Sequence, residues 1–366
     1  MNSKDKILVT GGAGFIGSHI VDALVERGYQ VVVLDSLRAP THDGNLPIWF
    51  NKKAEFIKGD VTNKSDWRKA LAGVSDVFHL AGYMDFRPDF STYYNTNTSS
   101  TALLYEVIAE KKLPVQRIIV ASSQAVYGEG KYSCQQCGLV YPLSRPREQL
   151  ERGEWDIRCP KDGSIMAYLL GSEDDHTIQG NPYSVSKRGL EQTTVFLGRY
   201  LSIPSYALRY TIVHGPRQSL RHFYSGALRQ FVAMALSGKP MTMHEDGRQT
   251  RDFVHIQDVV DAHMMILENE EIPSGIYNLG SGRTTHVNEL AEMVARKVGV
   301  PFRPEYPGMF VVGNARHSVE DISKLATYGW KPKCTLEDNV SDYLEWVRSY
   351  PEALSVMEKS LKEIQL

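Results

Sequence analysis

The sequence predicts a doubly wound α/β sheet of parallel strands, with a smaller C-terminal domain and a cysteine-bearing insertion. Three observations carry that reading. Apolar, strand-like runs alternate with helical periodicity from the start, as in KILVT, SHIVDALVERG, QVVVLD and DVFHLAG. A glycine-rich turn, GGAGFIG, joins the first strand to the first helix. Between Gly128 and Asn181 the alternation breaks, and this stretch holds three of the four cysteines.

Composition agrees. The chain has 366 residues, 42% hydrophobic and 23% charged, with a formal net charge of -2. That suits a globular chain of two packed regions. No apolar run reaches the roughly 18 residues of a membrane span. Near-neutral charge gives no general attraction to nucleic acid. The N-terminus enters a strand directly, without a leader-like segment, and four cysteines are too few for a disulfide scaffold. A reducing cytoplasm is the expected setting.

The elements follow in order. KILVT is a buried strand, and the helix after it ends at Gly28. Gly12, Gly14 and Gly17 fit G-x-G-x-x-G between that strand and helix, with Gly11 ahead of them. Gly12 is expected to make the tight turn. Gly14 lets backbone approach a pyrophosphate, and Gly17 seats the helix on the sheet. Phe15 and Ile16 open the helix, whose free N–H groups and dipole favour phosphate. Asp35 ends the second strand. Its carboxylate suits ribose hydroxyls and repels a 2′-phosphate, which favours NAD over NADP, although Arg38 lies nearby. FIKGD closes a third strand and leaves Asp60 and Val61 to border the adenine. DVFHLAG is a fourth, with His79 inside it as a core histidine and Leu80, Ala81 and Gly82 at its carboxyl end. A helical stretch from about Tyr93 to Lys111 precedes the strand RIIVASS, which ends at Ser122 and Ser123. Ligands of such a sheet bind at carboxyl ends of strands.

In NPYSVSKRGLEQTTVFLGRYL, Tyr183 and Lys187 are four apart and share a helix face. A neighbouring ammonium favours the phenolate. Bringing a tyrosine from about 10 to neutrality takes roughly 4 kcal/mol. Lys187 and a positive nicotinamide are expected to supply it together.

Here the chain resembles the nucleotide-sugar epimerases and dehydratases of the extended short-chain dehydrogenase/reductase family. The matching segments are VTGGAGFIGSH, HLAG, Asn97 of TNTSST, SSQAVYG, PYSVSK, GPRQ and RDFVHIQDV. The resemblance implies a site of Ser123, Tyr183 and Lys187 on a fixed NAD, with Ser122 structural and Lys187 on the nicotinamide ribose. It also implies a nucleotide-sugar substrate and a homodimer through the helices near Tyr93–Lys111 and Tyr183–Leu201. In similar dehydratases an acidic pair follows the catalytic threonine, and decarboxylases keep a glutamate there. This chain has Gln124 and Ala125, which cannot move a proton at neutral pH. Gln124 reads as a hydrogen-bonding wall. After oxidation at C4 the sugar can only turn over and take the hydride back, so the expected reaction is 4-epimerisation. The alternatives are a 4-keto reductase, a dehydratase with acids from elsewhere such as Asp85, and a non-catalytic nucleotide sensor.

The C-terminal half reads as the substrate side, with Arg217, Arg251 and Arg316 expected to clamp the diphosphate. Thr211 stands where the family commonly has an asparagine, and the following Ile212 cannot replace an amide either. The expected division is 1–210 for the dinucleotide domain, with 251–270 returning to it, and 211–366 for the substrate domain. The insertion, 129–180, resembles a zinc ribbon. Cys134 and Cys137 form one knuckle, and Cys159 starts a second in which Asp162 replaces a cysteine. Cys₃Asp suits zinc, His176 is another possible fourth ligand, and a metal-free ribbon is the alternative. Among family members, such an insertion looks most like that of the dTDP-L-rhamnose 4-epimerase branch.

Overall fold

The structure, a computed structural model, describes residues 5–85, 87–220, 226–350 and 353–357. The first domain runs β1 (Lys6–Thr10), α1 (Phe15–Glu26), β2 (Gln30–Asp35), β3 (Glu55–Lys58), α2 (Lys64–Ala70) and β4 (Asp76–His79). Then come α3 (Phe90–Tyr93), α4 (Ser100–Lys111) and β5 (Arg117–Ser123). The insertion contributes β6 (Lys131–Cys134), β7 (Gly138–Val140), α5 (Arg147–Glu151) and β8 (Ala167–Leu169). The chain returns through α6 (Pro182–Leu201) and β9 (Ser205–Tyr210). Beyond them lie β10 (Ile212–His214), α7 (Gly226–Leu236), β11 (Met241–Thr242), β12 (Thr250–Arg251), β13 (Phe253–His255), α8 (Ile256–Glu268) and β14 (Gly275–Leu279).

Seven strands form one sheet in the order β14-β9-β5-β4-β1-β2-β3, all parallel. Strand order reverses between β1 and β4, which opens the crevice where such sheets bind ligands. The strands are apolar on both faces because helices cover both. Ile7, Val9, Val33 and Phe78 pack with α1 and α8; Leu8, Val32, Val77 and Val120 pack with α2 and α4. GIYNL at 275–279 supplies an edge strand of this sheet beside β9, whereas Thr250–Arg251 and Phe253–His255 pair in other sheets.

The stretch expected to be one helix from Tyr93 is broken by a π-helical turn, Tyr94–Ser99. Its Asn97 is fully buried. Such turns recur at functional sites because the extra residue redirects a side chain inward. A separate apolar cluster fills the C-terminal region, including Leu228, Phe231, Leu290 and Tyr343. The insertion has its own small core of Tyr132, Cys134, Ile157, Cys159 and Met166. Among the described residues no helix is long and apolar enough to cross a membrane.

Candidate active site

A cavity of about 310 Å³ opens at the β1/β4 crevice. Gly11, Gly14, Phe15, Ile16, Gly17, Asp35, Asp60, Val61, Leu80, Ala81 and Gly82 all line it. The glycine turn differs in one detail from expectation. The left-handed residue is Gly11, at φ 69°, whereas Gly12 is not in that region. A Cβ on Gly12 would instead lie 2.8 Å from the Val33 methyls. Gly12 thus serves packing, because its neighbour Gly11 already makes the bend. A Cβ on Gly17 would fall 2.2 Å from the Gly11 carbonyl oxygen, so only glycine lets the helix sit this close.

Asp35 accepts from the Ala13 N–H at 3.1 Å and the Leu37 N–H at 2.9 Å. These bonds hold the carboxylate at the cavity wall with acceptor capacity left. Arg38 lies over the Tyr83 ring at 5.5 Å. The glycine cradle, the acidic end of β2 and the α1 N-terminus fit an NAD whose ribose carries no 2′-phosphate. Sequence reasoning passed over Tyr83, Thr96 and Tyr210, which also line the cavity. It quoted Asn97 only as part of a motif. Asn97 accepts from the Tyr83 N–H at 2.8 Å and donates to the Tyr83 carbonyl and Ser186 Oγ at 3.0 and 2.9 Å. The signal was a polar run, NTNTSS, inside a helical stretch.

Three side chains converge from two elements. β5 delivers Ser123, and α6 delivers Tyr183 and Lys187. Helix α6 starts firmly: Asn181 and Ser184 form a reciprocal capping box, with Pro182 in the first turn. Lys187 Nζ donates to the Ala121 carbonyl at 2.8 Å and lies 5.8 Å from the Tyr183 ring centroid. Gly82 makes room for it, since a Cβ there would be 3.1 Å from Nζ. Burial pushes the Tyr183 phenol up to about 12, against a hydrogen bond with Ser123 that pulls it down. Burial pushes Lys187 down to about 8, with Glu191 opposing. The lysine alone therefore does not bring the phenol near neutrality. A positive nicotinamide in the adjoining NAD cavity would lower it further.

The two serines separate cleanly. Ser122 Oγ donates to Glu191 Oε1 at 2.6 Å, inside a buried pair in which Arg209 grips both Glu191 oxygens. Ser123 Oγ accepts from the Ala125 N–H at 3.1 Å and faces Tyr183. His79 is buried between Thr10 Oγ1 and Ser100 Oγ, and burial lowers its pKa to about 3. It is the expected core histidine. Gln124 opens the short 3-10 turn after Ser123, and its buried Oε1 has no hydrogen-bond partner among the described residues.

Each of the three arginines expected on the substrate side has partners within the chain. Arg217 pairs with Asp22 at 2.7 Å. Arg251 donates to the carbonyls of Thr250, Ala315 and Arg316 at 2.7–3.1 Å. Arg316 is held by Glu245, Asp246 and Asp156. Arg217 is held through Nη1 alone and its side chain is 20% exposed, while Arg251 and Arg316 are buried among their acceptors. Thr211 is likewise used internally, against Asp252 at 3.3 Å.

In the insertion, one ligand atom each from Cys134, Cys137, Cys159 and Asp162 lie within 4.8 Å of one another. His176 is elsewhere, with its ring against Tyr141. Zinc–sulfur bonds of about 2.3 Å set tetrahedral sulfurs about 3.8 Å apart. The Cys137 and Cys159 sulfurs are 3.6 Å apart, so the four residues fit such an ion.

This fold and site define a dinucleotide-dependent enzyme of the short-chain dehydrogenase/reductase type. The chain belongs to the NAD dependent epimerase/dehydratase family, which matches residues 7–148 and 168–280. The break at 149–167 falls within the insertion. A dTDP-L-rhamnose 4-epimerase of Burkholderia thailandensis is 35% identical over 352 residues, covering 93% of this chain and 94% of that one. A putative UDP-glucose 4-epimerase of Methanocaldococcus jannaschii is 30% identical, covering 94% and 98%. The solved structure of a Bacillus cereus UDP-glucuronic acid 4-epimerase variant, with a fluorinated substrate analogue and NAD, superposes with a TM-score of 0.77 at 28% identity. It covers 94% of this chain and 99% of that one.

Proposed function

We propose that the chain epimerises C4 of a nucleoside-diphosphate sugar on tightly held NAD, and that the sugar is a dTDP-linked 6-deoxyhexose. The observation that carries this is the convergence of Ser123, Tyr183 and Lys187 beside two residues, Gln124 and Ala125, that cannot transfer protons. The glycine turn and Asp35 would hold NAD, which would supply the hydride acceptor and donor for C4. Tyr183, as phenolate, removes the C4 hydroxyl proton as the carbonyl forms, and gives it back after the sugar has turned over. Ser123 orients that hydroxyl, and Lys187 sustains the phenolate. Gln124 Oε1, buried without a partner among the described residues, accepts from a sugar hydroxyl. Asp85, a candidate acid for dehydration, is paired with Arg87. The dTDP assignment draws on the Burkholderia relative and on the cysteine-bearing insertion.

The remaining assignments belong to the same reading. Zinc sits on Cys134, Cys137, Cys159 and Asp162. Two chains pair through α4 and α6, where Phe196 and Tyr200 are 66% and 75% exposed. The protein resides in the cytoplasm, which suits four unpaired cysteines.

The test is a C4-deuterated dTDP-L-rhamnose, followed by NMR. The label is expected to stay at C4 in both epimers, with no consumption of added NADH. Run in parallel, C4-deuterated dTDP-glucose giving a product with deuterium at C6 would make the enzyme a dehydratase, and stoichiometric use of NADH on a dTDP-4-keto-6-deoxyhexose would make it a reductase.

A further inference from the structure

Arg145 lies in the insertion, between the two cysteine knuckles, and no motif singles it out. It is 4% exposed. Its guanidinium forks onto Glu245, with Nη1 to Oε2 at 3.0 Å and Nη2 to Oε1 at 2.9 Å. The same nitrogens donate to the carbonyls of Trp155 and Asn314, each at 2.8 Å. Nε faces Glu129 Oε1 at 3.5 Å, and Glu129 directly follows the SSQAVYG segment. One side chain of the insertion thus joins the exit of the catalytic strand to the C-terminal half.

What it holds is the backbone at 313–316. Three consecutive carbonyls there accept from guanidiniums: Asn314 from Arg145, and Ala315 and Arg316 from Arg251. The Arg316 N–H donates to Glu129 Oε2 at 2.9 Å, and Glu245 is shared between Arg145 and Arg316. Just upstream, Gly313 abuts Gly180; a Cβ on Gly313 would lie 2.8 Å from the Gly180 oxygen. Gly180 stands two residues before α6, which carries Tyr183. The 313–316 segment is therefore a wall between the catalytic helix and the C-terminal half, and Arg145 is its outer brace. A planar fork with several donors fills this place; a lysine reaches fewer of the acceptors.

We propose that Arg145 is a positioning residue for nucleoside-diphosphate binding. It seats 313–316, which carries the candidate diphosphate residue Arg316, against the start of the catalytic helix. The cysteine knuckles hold the loop that presents Arg145, which makes the insertion part of the substrate machinery. The NAD cavity shares no residue with this network, so cofactor retention is independent of it. The proposal rests on the preceding reading only for the class of ligand.

The test compares the wild-type holoenzyme with Arg145→Met and Arg145→Lys. Calorimetric titration with dTDP and with UDP reads nucleotide affinity; kinetics with dTDP-L-rhamnose separate KM from kcat. Hydrogen exchange reads the 311–316 backbone, and absorbance of released cofactor reads bound NAD. Arg145→Met is expected to weaken nucleotide binding and raise KM by roughly tenfold or more. Exchange should accelerate over 311–316, with kcat and NAD content little changed and Arg145→Lys intermediate. Faster exchange with unchanged nucleotide affinity would overturn the proposal, as would loss of kcat at constant KM. If Arg145→Met does not fold, Arg145→Lys carries the same comparison. Wild-type enzyme that binds these nucleotides but epimerises no sugar would sink the reaction reading, while titration and exchange still decide Arg145. Wild-type enzyme that binds neither nucleotide overturns the proposal itself.

Discussion

Lys187 Nζ lies 5.8 Å from the centroid of the Tyr183 ring and donates a hydrogen bond to the Ala121 carbonyl. The lysine is fixed under the tyrosine as a charge and does not compete with it for the substrate proton. Burial raises Tyr183 to about 12 and lowers Lys187 to about 8. The active form needs the phenolate and the ammonium together. Activity is therefore expected to rise with pH as Tyr183 ionises beside bound NAD, and to fall again as Lys187 loses its proton. Lys187→Met removes the cation, so the acidic limb should move upward by about a pH unit or more, since one unit is about 1.4 kcal/mol. The alkaline fall should vanish. Tyr183→Phe should cost about 10²–10⁴-fold in kcat with NAD still bound. A pH–rate profile of the three proteins checks both; an unmoved acidic limb in Lys187→Met would remove the lysine from the mechanism.

Gly17→Ala places a methyl 2.2 Å from the Gly11 oxygen. Backbone must move to admit it, at a cost of about 1–3 kcal/mol. The turn that moves is the phosphate cradle. The variant is expected to purify with little NAD and to melt at a lower temperature. Full NAD occupancy would mean that the cradle tolerates the shift.

Elemental analysis of protein purified without chelator is expected to find about one zinc per chain. Cys159→Ser should lose the metal, and Asp162→Ala should weaken it. Replacing His176 should leave zinc unchanged, because its ring lies against Tyr141, outside the cluster. A metal-free wild-type protein would leave the ribbon held by its small apolar core alone.

Phe196 and Tyr200 stack at 6.2 Å on the outer face of α6. Light scattering is expected to give twice the mass of one chain. Tyr200→Glu buries a charge in that contact and should shift the protein toward monomer at micromolar concentration. A wild-type monomer would show that this aromatic face has another use.

The sheet, the dinucleotide cradle and the serine–tyrosine–lysine set were legible in the residues. Their signals are local: strand periodicity, glycine spacing, and two polar side chains one helical turn apart. Local sterics dictate these wherever the chain folds. The duties of Gly11 and Gly12 were less legible, because the bend and the packing against Val33 depend on where β2 lies. The arginines show the larger limit. Arg217, Arg251 and Arg316 look alike as residues in family motifs, yet each meets its own acceptors from distant segments. Arg145 carries no motif and stands at the centre of a buried network. Asp162 is the expected fourth ligand with His176 as the alternative, and folding brings Asp162, not His176, to the three sulfurs. A charge's role depends on which partners surround it, and those partners come from segments that only tertiary packing brings together.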